Sequence, residues 1–217
     1  MLTKVTPQSI WSVVKKIPGT LSVALVILLA GILTKSLWSS VNLDQILSTY
    51  GYGIPALADG KFWTMLTGLV VAPEPYMYAT ILVTFIVGAG YLEYKVGLKK
   101  MLAVFVLSHI LALLVSYGII LLFEQFNVAW AVAFAGTLDI GMSNAGLGLL
   151  GAATAGFTVI WKKRIRFLVL IYLVAMLLYS GVIWDLTHLV AFIVGMLLGP
   201  WAYGRKKKKK EFPMLSM

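Results

Sequence analysis

Two side chains far apart in the chain, Ser143 and His188, have the chemistry of a nucleophile and its general base. Ser143 lies in Gly141-Met-Ser143-Asn144, where a polar turn opening at Asp139 becomes a run of small and apolar residues that reaches Gly156. A serine at the start of a helix has two readings. It is an N-cap whose oxygen accepts a bond from a free amide of the first turn. Or it is a nucleophile, because those amides and the helix dipole favour negative charge at that end. His188 opens a second such face: His188, Ala191, Gly195 and Gly199 recur at offsets of three, seven and eleven, one side of a helix. Gly146 and Ala153 share the face of Ser143, with Gly148, Gly151 and Ala152 beside it. Small residues at such spacing let membrane helices approach backbone to backbone, which would bring hydroxyl and imidazole together. The bland alternative is that the small residues only pack, Ser143 caps and His188 bonds a carbonyl.

The elements that must position these groups follow from composition. The 217 residues are 60% hydrophobic and 12% charged, too apolar for a soluble domain. Apolar runs predict six membrane-crossing helices, near 20–38, 76–92, 101–123, 143–161, 167–184 and 186–203, each close to the roughly 20 residues a bilayer requires. The expected fold class is an all-α polytopic membrane protein. It divides into an amphipathic leader (1–19), a membrane domain (20–203) and a basic tail (204–217). The loop 124–142 reads as half apolar and interfacial, and 41–50 as a short surface helix.

The net charge of +10 reads as topology. With the N-terminus in the cytoplasm, the leader, the turn at 95–100, the turn at 162–166 and the tail are all inside, and they hold 16 of the 18 lysines and arginines. Asp44, Asp59, Glu74, Glu124, Asp139 and Asp185 fall on the other side with Lys35 and Lys61. This is the positive-inside pattern with both termini cytoplasmic. Lys206, Lys207, Lys208, Lys209 and Lys210 suit anionic lipid. No folded basic domain is left to bind nucleic acid. The chain has no cysteine, so thiolate chemistry, disulfides and thiolate metal sites are excluded.

No Asp, Glu, Lys or Arg falls near the middle of a predicted span, whereas both histidines fall within spans. Ser143 and His188 lie at similar depth near the outer face. His109 lies roughly 12 Å up from the inner edge, at 1.5 Å per residue. It is expected as a neutral imidazole bonded across to the second or fourth span. Asp185 is expected as the N-cap of the sixth.

These residues resemble the rhomboid family of intramembrane serine proteases. Gly141-Met-Ser143-Asn144 is similar to the family's Gly-x-Ser-Gly in the fourth helix, and His188-Leu-Val-Ala191-Phe-Ile-Val-Gly195 to its His-x-x-Gly-x-x-x-Gly in the sixth. Lys61-Phe-Trp63-Thr64 is similar to its Trp-Arg motif in the first loop, and Tyr91-Leu-Glu93-Tyr-Lys95-Val-Gly97 to the ending of its second helix. The resemblance implies a Ser143–His188 dyad with no cofactor and no metal. It implies a cavity open to the outer face, and transmembrane protein substrates cut near their membrane ends. A compact core of this kind fits a bacterial plasma membrane. The sequence departs from the family where His and Asn side chains hold the oxyanion. Read without a gap from Trp63, those positions are Met77 and Ile81, neither of which donates a hydrogen bond. Thr64 and Asn144 replace the motif arginine and glycine. Asn144 and the backbone at Gly141 are the candidate substitutes at the oxyanion or the helix terminus. The alternative these departures favour is a pseudoprotease that binds transmembrane helices as clients. A transporter is disfavoured, because inverted repeats and intramembrane carboxylates are lacking.

Overall fold

The computed structural model describes residues 7–40, 42–72 and 74–204; Lys4 and the tail lysines lie outside them. Among the described residues the chain is all-helical. The short leader helix α1 (Pro7–Val14) is followed by α2 (Pro18–Leu33). The first loop folds into α3 (Leu43–Tyr50), α4 (Ile54–Ala58) and α5 (Thr64–Thr67). Then come α6 (Pro75–Val96), α7 (Leu98–Glu124) and α8 (Ala129–Ala135). The last three are α9 (Ser143–Ala153), α10 (Val159–Tyr179) and α11 (Ile183–Ala202).

Three of these, α6, α7 and α11, are long and apolar enough to cross a bilayer. The fourth predicted span is shorter than its apolar run. Helix α9 stops at Ala153, tightens into a 3-10 turn over Thr154–Gly156, and the chain restarts at Val159. Eleven residues rise only about 16 Å, roughly half a bilayer core. The break is built from side chains. Thr154 Oγ1 donates to Gly151 O at 2.6 Å, and Arg166 Nε donates to Thr154 Oγ1 at 2.7 Å. Trp161, Lys162, Lys163, Arg164 and Arg166 therefore lie within α10, and the expected basic turn is instead the first two turns of a helix. The other expected basic turn shrinks to Gly97, whose φ of +85° lets α6 end and α7 begin with no further linker.

Long-range polar contacts fix the helix ends. Glu93, near the end of α6, is buried. Its Oε1 accepts from Gly19 N (2.9 Å) and its Oε2 from Thr20 N and Thr20 Oγ1 (both 2.7 Å). It thereby caps a helix that has no side-chain cap of its own. Lys100 Nζ donates to Ala202 O at 2.7 Å, serving a carbonyl at the end of α11. Tyr78 is buried against Gly31, and its hydroxyl lies 2.7 Å from Ser36 Oγ. Helix α9 sits centrally, packed by α11, α7 and α6, while α10 leans mainly on α11 and the 154–156 turn.

Candidate active site

Ser143 is positioned by the backbone ahead of it. Tyr52 and Asp139 form an antiparallel bridge through two 2.9 Å bonds, which ties the first loop to the segment leading into α9. Gly141 then turns the chain with a φ of +107°, a conformation side chains with a Cβ rarely adopt. Its N–H donates to Gly68 O (2.8 Å) and its carbonyl accepts from the Tyr52 hydroxyl (2.8 Å). Gly141 is thus fully engaged in holding the turn, so its amide is not a free oxyanion donor. Two residues later Ser143 begins α9. The N-cap is Met142, with no side-chain cap bond, so Ser143 does not cap.

The Ser143 hydroxyl is directed at α11: Ser143 Oγ lies 2.7 Å from His188 Nε2. What brings the two helices this close is glycine, though not all of the glycines expected. A Cβ on Gly195 would sit 2.0 Å from Gly148 O, one on Gly151 would sit 2.4 Å from Phe192 O, and one on Gly199 would sit 2.8 Å from Ala152 O. Ala191 is fully buried in the same seam. Gly146, which shares the Ser143 face, meets nothing within 4 Å and lines a cavity instead. The packing face is rotated from the Ser143 face, which leaves the hydroxyl at its edge, beside open space.

Two cavities meet at this pair. The larger, about 830 Å³, runs between α6 and α10 past Phe85, Gly88, Tyr91, Leu147 and Tyr172, and its walls are almost wholly apolar. The smaller, about 430 Å³, is lined by Leu47, Met77, Ile81, Asp139, Ile140 and Trp184. Met77 and Ile81 therefore line the same cavity as Ser143 and His188, and their side chains present no hydrogen-bond donor. Donors do remain in the backbone. The first intrahelical bond of α9 runs from Gly146 N to Met142 O, so the amides before it point out of the helix end.

Asn144 does not reach this space. Successive helical residues are turned by about 100°, so the neighbour of a cavity-facing serine faces elsewhere. Asn144 is fully buried, lines neither cavity, and lies on the side of Tyr52. The expectation that its amide replaces the missing donors is not met by this geometry. His109 also differs from expectation. It is buried on α7 with its ring edge-on to Tyr52, centroids 5.1 Å apart, and no hydrogen bond joins it to α6 or α9. Asp139, in the loop, is pushed up to about 7 by burial, against the opposing bond from Ile140 N to Oδ1 at 2.8 Å.

Asp185 is not the N-cap of α11. That position is Val182, and Asp185 is the third residue of the helix, buried, with its carboxylate accepting from the Ser180 hydroxyl. Sequence reasoning missed this tie, the Glu93 cap and the role of Tyr52. The last had a signal in Gly51-Tyr52-Gly53, since a Cβ on Gly53 would meet Thr137 O at 2.5 Å.

No curated protein matches the chain. The family model described as rhomboid-like protein matches residues 12–208. That stretch takes in the Ser143 turn, the His188 helix and the helices that pack them, and the chain belongs to the rhomboid-like family.

Proposed function

We propose that this protein is an intramembrane serine protease of rhomboid type that hydrolyses peptide bonds of transmembrane proteins with Ser143 and His188 as a dyad. The observation that carries the reading is the 2.7 Å contact between Ser143 Oγ and His188 Nε2 where two cavities meet. With Nε2 as acceptor, the imidazole takes the hydroxyl proton as Oγ attacks the carbonyl carbon. The outward-pointing amides at the start of α9 face the oxyanion that forms, aided by the helix dipole. His188 then returns its proton to the leaving amine, and water repeats the sequence to release the acyl group. Neither metal nor cofactor is required for these steps.

The same reading includes a six-span topology with both termini cytoplasmic and the dyad toward the outer side, in a bacterial plasma membrane. It is supported by the charge distribution and by the apolar helices. The substrate is a membrane-spanning helix, and the apolar cavity between α6 and α10 is the side from which it approaches.

A second reading, a pseudoprotease that binds such helices without cutting them, is favoured by Met77 and Ile81, which supply no oxyanion donor beside Ser143. Loss of one such donor typically costs about a hundredfold to a thousandfold in rate. A serine-directed fluorophosphonate probe separates the two. Labelling of the wild-type chain that disappears in Ser143→Ala and in His188→Ala supports the protease. A folded wild-type protein that takes no label, and cleaves no transmembrane reporter, leaves only the binding role.

A further inference from the structure

Asp185 is a carboxylate in an expensive place. It is 4% exposed, on a helix long and apolar enough to span a membrane. Among the described residues its side chain bonds the neutral hydroxyl of Ser180, and no Lys or Arg lies within ion-pair distance. An uncompensated buried charge is strongly unfavourable. The helix N-terminus offsets part of that cost, because Asp185 lies in the first turn of α11. A side chain able to take up positive charge, His188, is one helical turn away. Asp185 and His188 stand at i and i+3, a spacing that puts side chains on neighbouring positions of one face. Both residues belong to α11, and the far nitrogen of the His188 ring holds Ser143.

We propose that Asp185 is a positioning residue for the dyad, its negative charge stabilising the imidazolium that His188 becomes when it takes the Ser143 proton. The inference rests on the hydrolytic reading above and deepens it, since a dyad lacking two oxyanion donors gains most from stabilising the other half of the charge pair. In the attack, the Oγ–carbon bond forms as the proton passes from Oγ to Nε2. Positive charge then appears on the ring one turn from Asp185. The Ser180 hydroxyl holds the carboxylate across the turn between α10 and α11, where Gly181 takes a φ of +58°.

The test is the kinetics of fluorophosphonate inactivation in the full-length protein, resolved into kinact and KI. Asp185→Asn is isosteric and keeps an acceptor for Ser180 while removing the charge. Side chains at i and i+3 lie about 5–6 Å apart at Cβ, and in a partly screened interior loss of a charge at that range lowers kinact about tenfold to a hundredfold with KI unchanged. Asp185→Glu restores most of the rate. Ser180→Ala breaks the tie but keeps the charge, and holds kinact within about threefold. A merely structural carboxylate gives the opposite pattern: Asp185→Asn and Ser180→Ala fall together with a drop in thermal midpoint, or Asp185→Asn keeps the wild-type kinact. Either result overturns the inference while leaving the dyad intact. A wild-type protein without labelling removes the dyad reading and this inference with it. Should Asp185→Asn not fold, Asp185→Glu decides alone: kinact below a tenth of wild type in a folded protein overturns the assignment.

Discussion

Gly195→Ala is the smallest substitution that tests how the site is held together. The added Cβ would lie 2.0 Å from Gly148 O, 2.7 Å from its carbonyl carbon and 2.8 Å from its Cα. All three are backbone atoms, so no rotamer change relieves the clash. An ordinary contact needs about 3.4 Å or more, and α11 must therefore back away from α9 by more than about 1 Å. His188 lies seven residues earlier on the same helix, about 10 Å along its axis. A stiff helix carries the displacement to it. The Ser143–His188 contact, 2.7 Å in the intact site, then passes beyond hydrogen-bond reach. A misplacement of that size costs roughly a hundredfold in rate. Overpacking costs about 1–3 kcal/mol in stability. The assay is fluorophosphonate labelling rate alongside thermal unfolding in detergent, run as a series. Gly199→Ala meets Ala152 O at 2.8 Å and is milder, whereas Gly118→Ala, with nothing within 4 Å, is neutral or slightly stabilising. If the damage does not rise in the order 118, 199, 195, close backbone packing is not what sets the dyad distance.

Removing the Glu93 carboxylate leaves two buried amides and a hydroxyl at the start of α2 without an acceptor. Glu93→Ala is expected to lose about 2–5 kcal/mol in an unfolding titration, and Glu93→Gln, which keeps one good acceptor, less. Asp139 supplies a pH dependence. Its folded-state value of about 7 lies above the ordinary carboxylate range, so the stability it contributes is complete below about pH 4 and is lost as pH rises through 7. The wild-type protein should therefore lose on the order of a few kcal/mol between pH 4 and 7, and Asp139→Asn should flatten that slope. An unchanged slope in the variant would assign it to other groups.

Much of the arrangement is legible without coordinates, for a physical reason. A bilayer imposes a length and a polarity on every helix, and these are properties of local sequence. Helices α6, α7 and α11 appear within a few residues of the apolar runs that predict them. The short α9 does not, because its end is fixed by Thr154, Arg166 and a glycine turn, which break a helix inside a run that hydropathy reads as continuous. His188 stands out because ionisable side chains are scarce within the apolar runs, Ser143 because it opens a helix after a glycine turn, and the glycines around them announce a close approach.

Which side of each helix faces which neighbour is a different kind of information. In a soluble protein the water-facing side is polar, and periodicity reports the rotation of the helix. Here lipid and protein interior are both apolar, so that signal is weak. The sequence by itself therefore determined most of the helices, their order and the two candidate residues, Ser143 and His188. Tertiary packing decided that Gly148 and Gly151, not Gly146, carry the seam, that Asn144 turns away from the cavity, and that Asp185 is buried against Ser180. Those choices depend on how each helix is rotated about its own axis, and only contact with its neighbours sets that angle.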